Sequence, residues 1–296
     1  MASSPIFTST TRAWCGIGQF EMGGEETSLT ENLLRRERWI VLSGLAAITV
    51  LSWTYILTGA GTGMPVRSMT AAWLFPHRMT GTSLQPAGWT SEYWIIMLLM
   101  WWVMMIAMMT PSAAPMILLY ARATRHAQGK GQLGRGVVPA AAFATGYLLA
   151  WFGFSLFATL LQRGLEASGG ISAMWMASRS AGLSAAVLMF AGAYQLSPWK
   201  HRCLSHCRAP AEFLSRHRRP GRLGAVRMGI EHGAYCVGCC WVLMALLFVG
   251  GIMNVLWIAV LAIVVLLEKL APQGPWFARV TGIVLVAWGV ATLAAV

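Results

Sequence analysis

The feature that most constrains this chain is a succession of apolar runs, at about 39–57, 89–119, 137–161, 179–196, 232–249, 252–267 and 277–296. Apart from the longer second run, each is roughly 16 to 25 residues long, about the length at which a helix crosses the hydrocarbon core of a bilayer. Inside lipid every backbone N–H and C=O must be satisfied within the segment, so helices are the economical solution. With 57% hydrophobic and 11% charged residues among 296, an ordinary soluble domain is excluded. The expected fold is all-α, a polytopic membrane helical bundle of about seven transmembrane helices.

Ahead of the first run, residues 1–38 are polar, rich in Ser and Thr and broken by glycines. They lack the apolar core and small-residue cleavage site of a secretory signal. They read as a flexible cytoplasmic tail, with 39–296 as the membrane domain and the first run as an uncleaved anchor. The Gly, Pro and Thr-rich stretch 59–88 reads as a surface loop or lid, and 197–231 as a long basic loop. Thr110-Pro111-Ser112 and Pro115 interrupt the second run, which predicts a kinked or broken helix.

Charge placement predicts orientation. With the N-terminus inside, all of the 22 Lys and Arg fall on the cytoplasmic side except Arg67, Arg78, Arg163 and Arg179. Such a bias favours N-in, C-out in a bacterial inner (cytoplasmic) membrane. It also explains the net charge of +12 as topology and contact with the lipid bilayer, leaving no case for nucleic acid. Glu92 and Arg179 read as outer-end groups able to pair, Glu268-Lys269 as interfacial anchors, and Asn254 as a helix cap or interhelical bond.

Chemistry concentrates in three places. In His232-Gly-Ala-Tyr-Cys236-Val-Gly-Cys239-Cys240, one imidazole and three thiols lie within an arc of roughly 100° on a helix. Four groups on one straight helix cannot close a tetrahedron, so a second element is required. The stretch from Trp199 to Pro210 offers Cys203, His206 and Cys207, with His201 nearby, on the same side of the membrane. In the second run, Met97, Met100, Met104 and Met108 form a stripe about 16 Å long. Thiolate and thioether donors favour copper(I), with zinc the second candidate because thioethers hold it poorly. No phosphate-binding loop, nucleophile elbow, HExxH pair or dinucleotide fingerprint occurs.

Met104-Met-Ile-Ala-Met-Met-Thr-Pro111-Ser, Tyr194-Gln-Leu-Ser-Pro198 leading to His206-Cys207-Arg-Ala-Pro210, and the His232 to Cys240 motif resemble a bacterial family described as predicted metal-binding integral membrane proteins, a domain of unknown function. The resemblance covers roughly residues 90–270. It implies metal binding, with motif positions on Met104, Met108, Pro111, His206, Cys207, Pro210, His232, Cys236, Cys239 and Cys240, and no assigned reaction.

The resulting expectation is a membrane protein that moves a soft metal or delivers it to a metallochaperone or cuproprotein partner, as a homo-oligomer or complex subunit. His232, Cys236, Cys239 and Cys240, helped by Cys203, His206 and Cys207, would be the inner site, and the methionines the path. The alternative is a membrane oxidoreductase, either metal-dependent or exchanging thiols through Cys236-x-x-Cys239 at a helix start.

Overall fold

The computed structural model describes residues 24–61, 70, 88–129, 140–172, 176–217 and 219–295. The N-terminal tail with Cys15, most of the 59–88 loop with Arg67 and Arg78, and the basic residues at 130 and 135 lie outside them. The chain divides into two units, Met1–Arg38 and Trp39–Val296. Of the first unit only the helical backbone from Gly24 is described.

The described regular structure is helical, apart from one isolated antiparallel bridge between Ile171 and Ser178. In chain order it comprises α1 (Gly24–Leu57), α2 (Ser91–Gly129), α3 (Ala140–Ala167), α4 (Ala181–Leu196), α5 (Pro198–Arg208), α6 (Pro210–Arg216), α7 (Gly221–Ala245), α8 (Leu247–Gly250), α9 (Val255–Leu270) and α10 (Gly274–Ala294). Five stretches are long and apolar enough to cross a membrane: Arg38–Leu57, Ser91–Thr124, Ala140–Ala167, Gly221–Gly250 and Gly274–Ala294. Ala181–Leu196 is apolar but shorter. At 16 residues, α4 and α9 each rise only about 24 Å, short of a full bilayer core.

Three expectations need correction. The basic stretch 197–231 is not a loop: it forms α5, α6 and the first turns of α7. Its buried stripe, Ala225, Met228, Gly229, His232 and Cys236, follows the three- and four-residue spacing of a helix face, and Arg222 and Arg227 fall off it. His232 is therefore well inside a helix rather than at its start. The second run is not broken either: α2 is continuous over 39 residues with Pro111 and Pro115 inside it. Finally, Glu268 and Lys269 are not interfacial anchors, because both are buried. Glu268 pairs with Lys200 of α5 at 2.5 Å and accepts from Gln195 of α4 at 2.7 Å.

Glu92 and Arg179 are both exposed, and the ion pairs among the described residues do not join them. Gly251, at φ 97°, ends α8 in a conformation that favours glycine, and Asn254 then caps α9 by accepting from the Leu256 and Trp257 amides.

Two helix pairs approach closely on glycine. A Cβ at Gly146 of α3 would strike the Val226 carbonyl of α7, and one at Gly229 would strike the Phe143 carbonyl. Between α4 and α10, a Cβ at Gly192 would lie 2.6 Å from the Gly282 carbonyl oxygen. Small residues permit such contact where apolar surroundings give helices little reason to associate. The core lies among α2, α3, α7 and α9, and includes Met104, Met108, Tyr147, Trp151, Cys236, Ile258 and Val265. Large apolar side chains such as Val50, Phe157, Ile263 and Ile283 face outward.

Candidate metal centre

The centre is assembled where α5 lies against the middle of α7. Ser197 caps α5 by accepting from the Lys200 amide, and Pro198 occupies its first turn. This start directs Lys200 and Leu204 inward and sets Cys203 and Cys207 toward α7. Cys207 Sγ lies 3.9 Å from Cys239 Sγ, and Cys239 Sγ lies 3.2 Å from Cys240 Sγ. Cys236, Cys239 and Cys240 are all buried. Cys203 leans on Gly238, where a Cβ would come within 3.0 Å of its sulfur. Tyr194 of α4 secures the same turn of α7 by donating to the Gly238 carbonyl at 2.5 Å.

Three further helices converge on Cys236. Tyr147 Oη of α3 is 3.0 Å from Cys236 Sγ and donates to the Met109 carbonyl of α2 at 3.3 Å. Lys269 Nζ of α9 donates to Cys236 Sγ at 2.8 Å and to Ser112 Oγ of α2 at 3.2 Å. One end of the methionine run is thus joined to the thiols by hydrogen bonds. Met97, Met100, Met104 and Met108 are all buried. At the far end, Gln162 donates to Met97 Sδ at 3.6 Å and to Glu166 at 2.9 Å, while Trp101 donates to Gln162 at 2.8 Å and Trp89 to Glu166 at 3.0 Å.

The two histidines lie elsewhere. His232 is buried among the rings of Phe143, Tyr147 and Phe213, at 6.0, 6.0 and 5.3 Å, and its Nδ1 has no hydrogen-bond partner among the described residues. His206 is exposed, stacks on Tyr235 at 4.4 Å and directs Nδ1 at the Arg202 carbonyl 2.8 Å away. The structure therefore gathers Cys207, Cys236, Cys239 and Cys240, places Cys203 beside them, and leaves His206 outside. Sequence reasoning did not assign Tyr147, Ser112 or Lys269 to the site. Ser112 belongs to the Met104 to Ser112 motif, and Lys269 is a cation that ends an apolar run.

The chemistry of the donors suits a soft cation. The five cysteines of the described residues are free thiols. On α5, hydrogen bonding with Cys236 is the largest cause that pushes the Cys207 thiol well above its ordinary value, and burial raises Cys203. Both are protonated at neutral pH and must lose a proton to bind metal. Among the described residues, no three His, Cys, Asp or Glu side chains stand in a ready-made metal-holding arrangement. A metal would have to draw the sulfurs together, with Lys269 already hydrogen-bonded to one of them.

Fold and site together define an all-helical protein with candidate membrane-crossing helices and a cluster of thiols adjoining a run of buried methionines. Residues 98–292 match the model of PpoB2, a family described as a copper chaperone, and the chain belongs to that family. Searches of curated proteins and of solved structures find no match.

Proposed function

We propose that this chain is a multi-pass inner-membrane copper(I) handler, oriented N-in and C-out, that passes the ion to a cuproprotein or metallochaperone partner. The observation that carries the proposal is the convergence of Cys207, Cys236, Cys239 and Cys240 beside the end of a buried methionine run, in a member of a copper chaperone family. Copper(I) is the cargo. Thioethers at Met97, Met100, Met104 and Met108 bind it weakly enough to release it, and the thiols bind it tightly. The cytoplasmic side is reducing, which keeps the thiols available. Apolar side chains facing outward and the asymmetry of Lys and Arg support the membrane placement and orientation.

The test is metal analysis of detergent-purified protein after anaerobic copper(I) loading. Copper should be retained by the wild type and lost in a Cys236→Ser, Cys239→Ser double variant that keeps its helix content. Equal copper in both would overturn the assignment.

A second reading, thiol–disulfide exchange, draws on the 3.9 Å between Cys207 and Cys239 sulfurs. It loses the support of a helix start, because Cys236 and Cys239 lie about four turns or more inside α7. Reversible oxidation of those thiols in protein that takes up no metal would favour it.

A further inference from the structure

Lys269 is a buried cation that no carboxylate among the described residues accompanies. Only 7% exposed, it hydrogen-bonds to Cys236 Sγ and Ser112 Oγ, and the ion pairs among the described residues do not include it. Its neighbour Glu268 is committed to Lys200 and Gln195 on the other side of α9. A buried ammonium without a counter-charge is costly, so a structural lysine at this position would normally be matched by an acid. Among the described residues, the nearby groups able to become anionic are the thiols themselves and Tyr147. The thiol cluster thus already contains one positive charge of the protein's own.

We infer that Lys269 is a specificity-determining residue which biases the thiol centre toward a monovalent soft cation and against a divalent one. The inference rests on the copper assignment above. A metal bound to Cys236 Sγ lies within roughly 5 Å of Nζ, since that sulfur is 2.8 Å from Nζ and a metal–thiolate bond adds about 2.3 Å. Thiolates gathered around a monovalent ion leave an excess of negative charge, which the ammonium partly offsets. Replacing that ion by a dication in the same ligand set removes one unit of negative charge next to Lys269 and weakens the offset. At this separation, with partial screening, one unit of charge changes relative affinity by on the order of 100-fold.

The experiment uses the full chain in detergent. Affinities for copper(I) and for zinc(II) are measured by competition with chelators under anaerobic conditions, for wild type and for Lys269→Arg, Lys269→Gln and Lys269→Met. Lys269→Gln keeps a hydrogen-bond donor and removes only the charge. Both neutral variants should shift the copper-to-zinc preference toward zinc by on the order of 100-fold, while Lys269→Arg stays close to wild type. An unchanged preference in the neutral variants, or a shift in Lys269→Arg as large as theirs, overturns the inference. Should the neutral variants fail to fold, Ser112→Asp supplies a carboxylate beside Lys269 and should move the preference the same way; no movement overturns the inference. Wild type that takes up no copper(I) defeats the copper assignment, and this inference with it.

Discussion

Cys207 is the residue on which the thiol cluster depends for its second element, because it alone among the α5 side chains is hydrogen-bonded to thiols of α7. Cys207→Ser should weaken copper(I) binding, whereas His206→Ala, which removes only an exposed ring stacked on Tyr235, should leave it unchanged in a chelator competition. Proton linkage makes a second prediction. The Cys207 and Cys203 thiols are raised and so protonated near neutrality, and metal must displace those protons. Copper(I) affinity should therefore rise with pH, by about tenfold per unit for each proton released, and fall as the solution is acidified. A flat profile from pH 6 to 8 would mean that those two thiols do not take part. Glu268 presents a different case: its carboxylate is the partner of a fully buried Lys200. Glu268→Gln would leave that ammonium unpaired and should cost about 3–5 kcal/mol of stability, read from denaturant unfolding.

The elements meet where the chain is smallest. α3 and α7 touch backbone to backbone at Gly146, Gly229 and Gly233, and that contact sets Tyr147 against Cys236. Gly229→Val should force the pair apart, with a loss of about 1–3 kcal/mol from overpacking, visible as a lowered unfolding temperature. The same change should weaken copper(I) binding, since the thiol face of α7 would move relative to α2 and α9. α5 is held from both ends. Lys200 joins Glu268, and Arg208 donates to the Glu268 carbonyl at 2.7 Å and the Pro272 carbonyl at 3.0 Å, satisfying groups that the end of α9 leaves open. The motif around Tyr194 and Pro198 and the motif around His206 and Pro210 thus serve largely to fix α5, with Cys207 as the donor they present.

At the scale of the whole molecule, the methionine run and the α7 thiols belong to one buried cluster that spans α2, α3, α7 and α9. Its two ends differ in chemistry. One carries Gln162, Glu166, Trp89 and Trp101, and the other carries thiols, Tyr147 and Lys269. The proposed N-in, C-out orientation turns the thiol end toward the cytoplasmic side. A reporter active only outside the cytoplasm, fused after Val296, should be active, and the same reporter inserted between α6 and α7 should be silent. The reverse pattern would invert the path of the cargo.

The sequence by itself determined that the chain is helical and apolar beyond what a soluble domain allows, because apolar run length and composition are local properties. It also grouped His232, Cys236, Cys239 and Cys240 with Cys203, His206 and Cys207 as candidate donors, because clustering of soft donors and helical spacing are visible along the chain. Only the tertiary structure decided that His206 stands apart from the thiols, that α5, α6 and the start of α7 occupy the basic stretch, and that Lys269 rather than an imidazole reaches Cys236. Those outcomes depend on which helix packs against which. A charged pair such as Glu268-Lys269 looks the same in one dimension whether it faces water or two different buried partners, and the glycine contacts that bring α3 and α7 together settle the matter only in three.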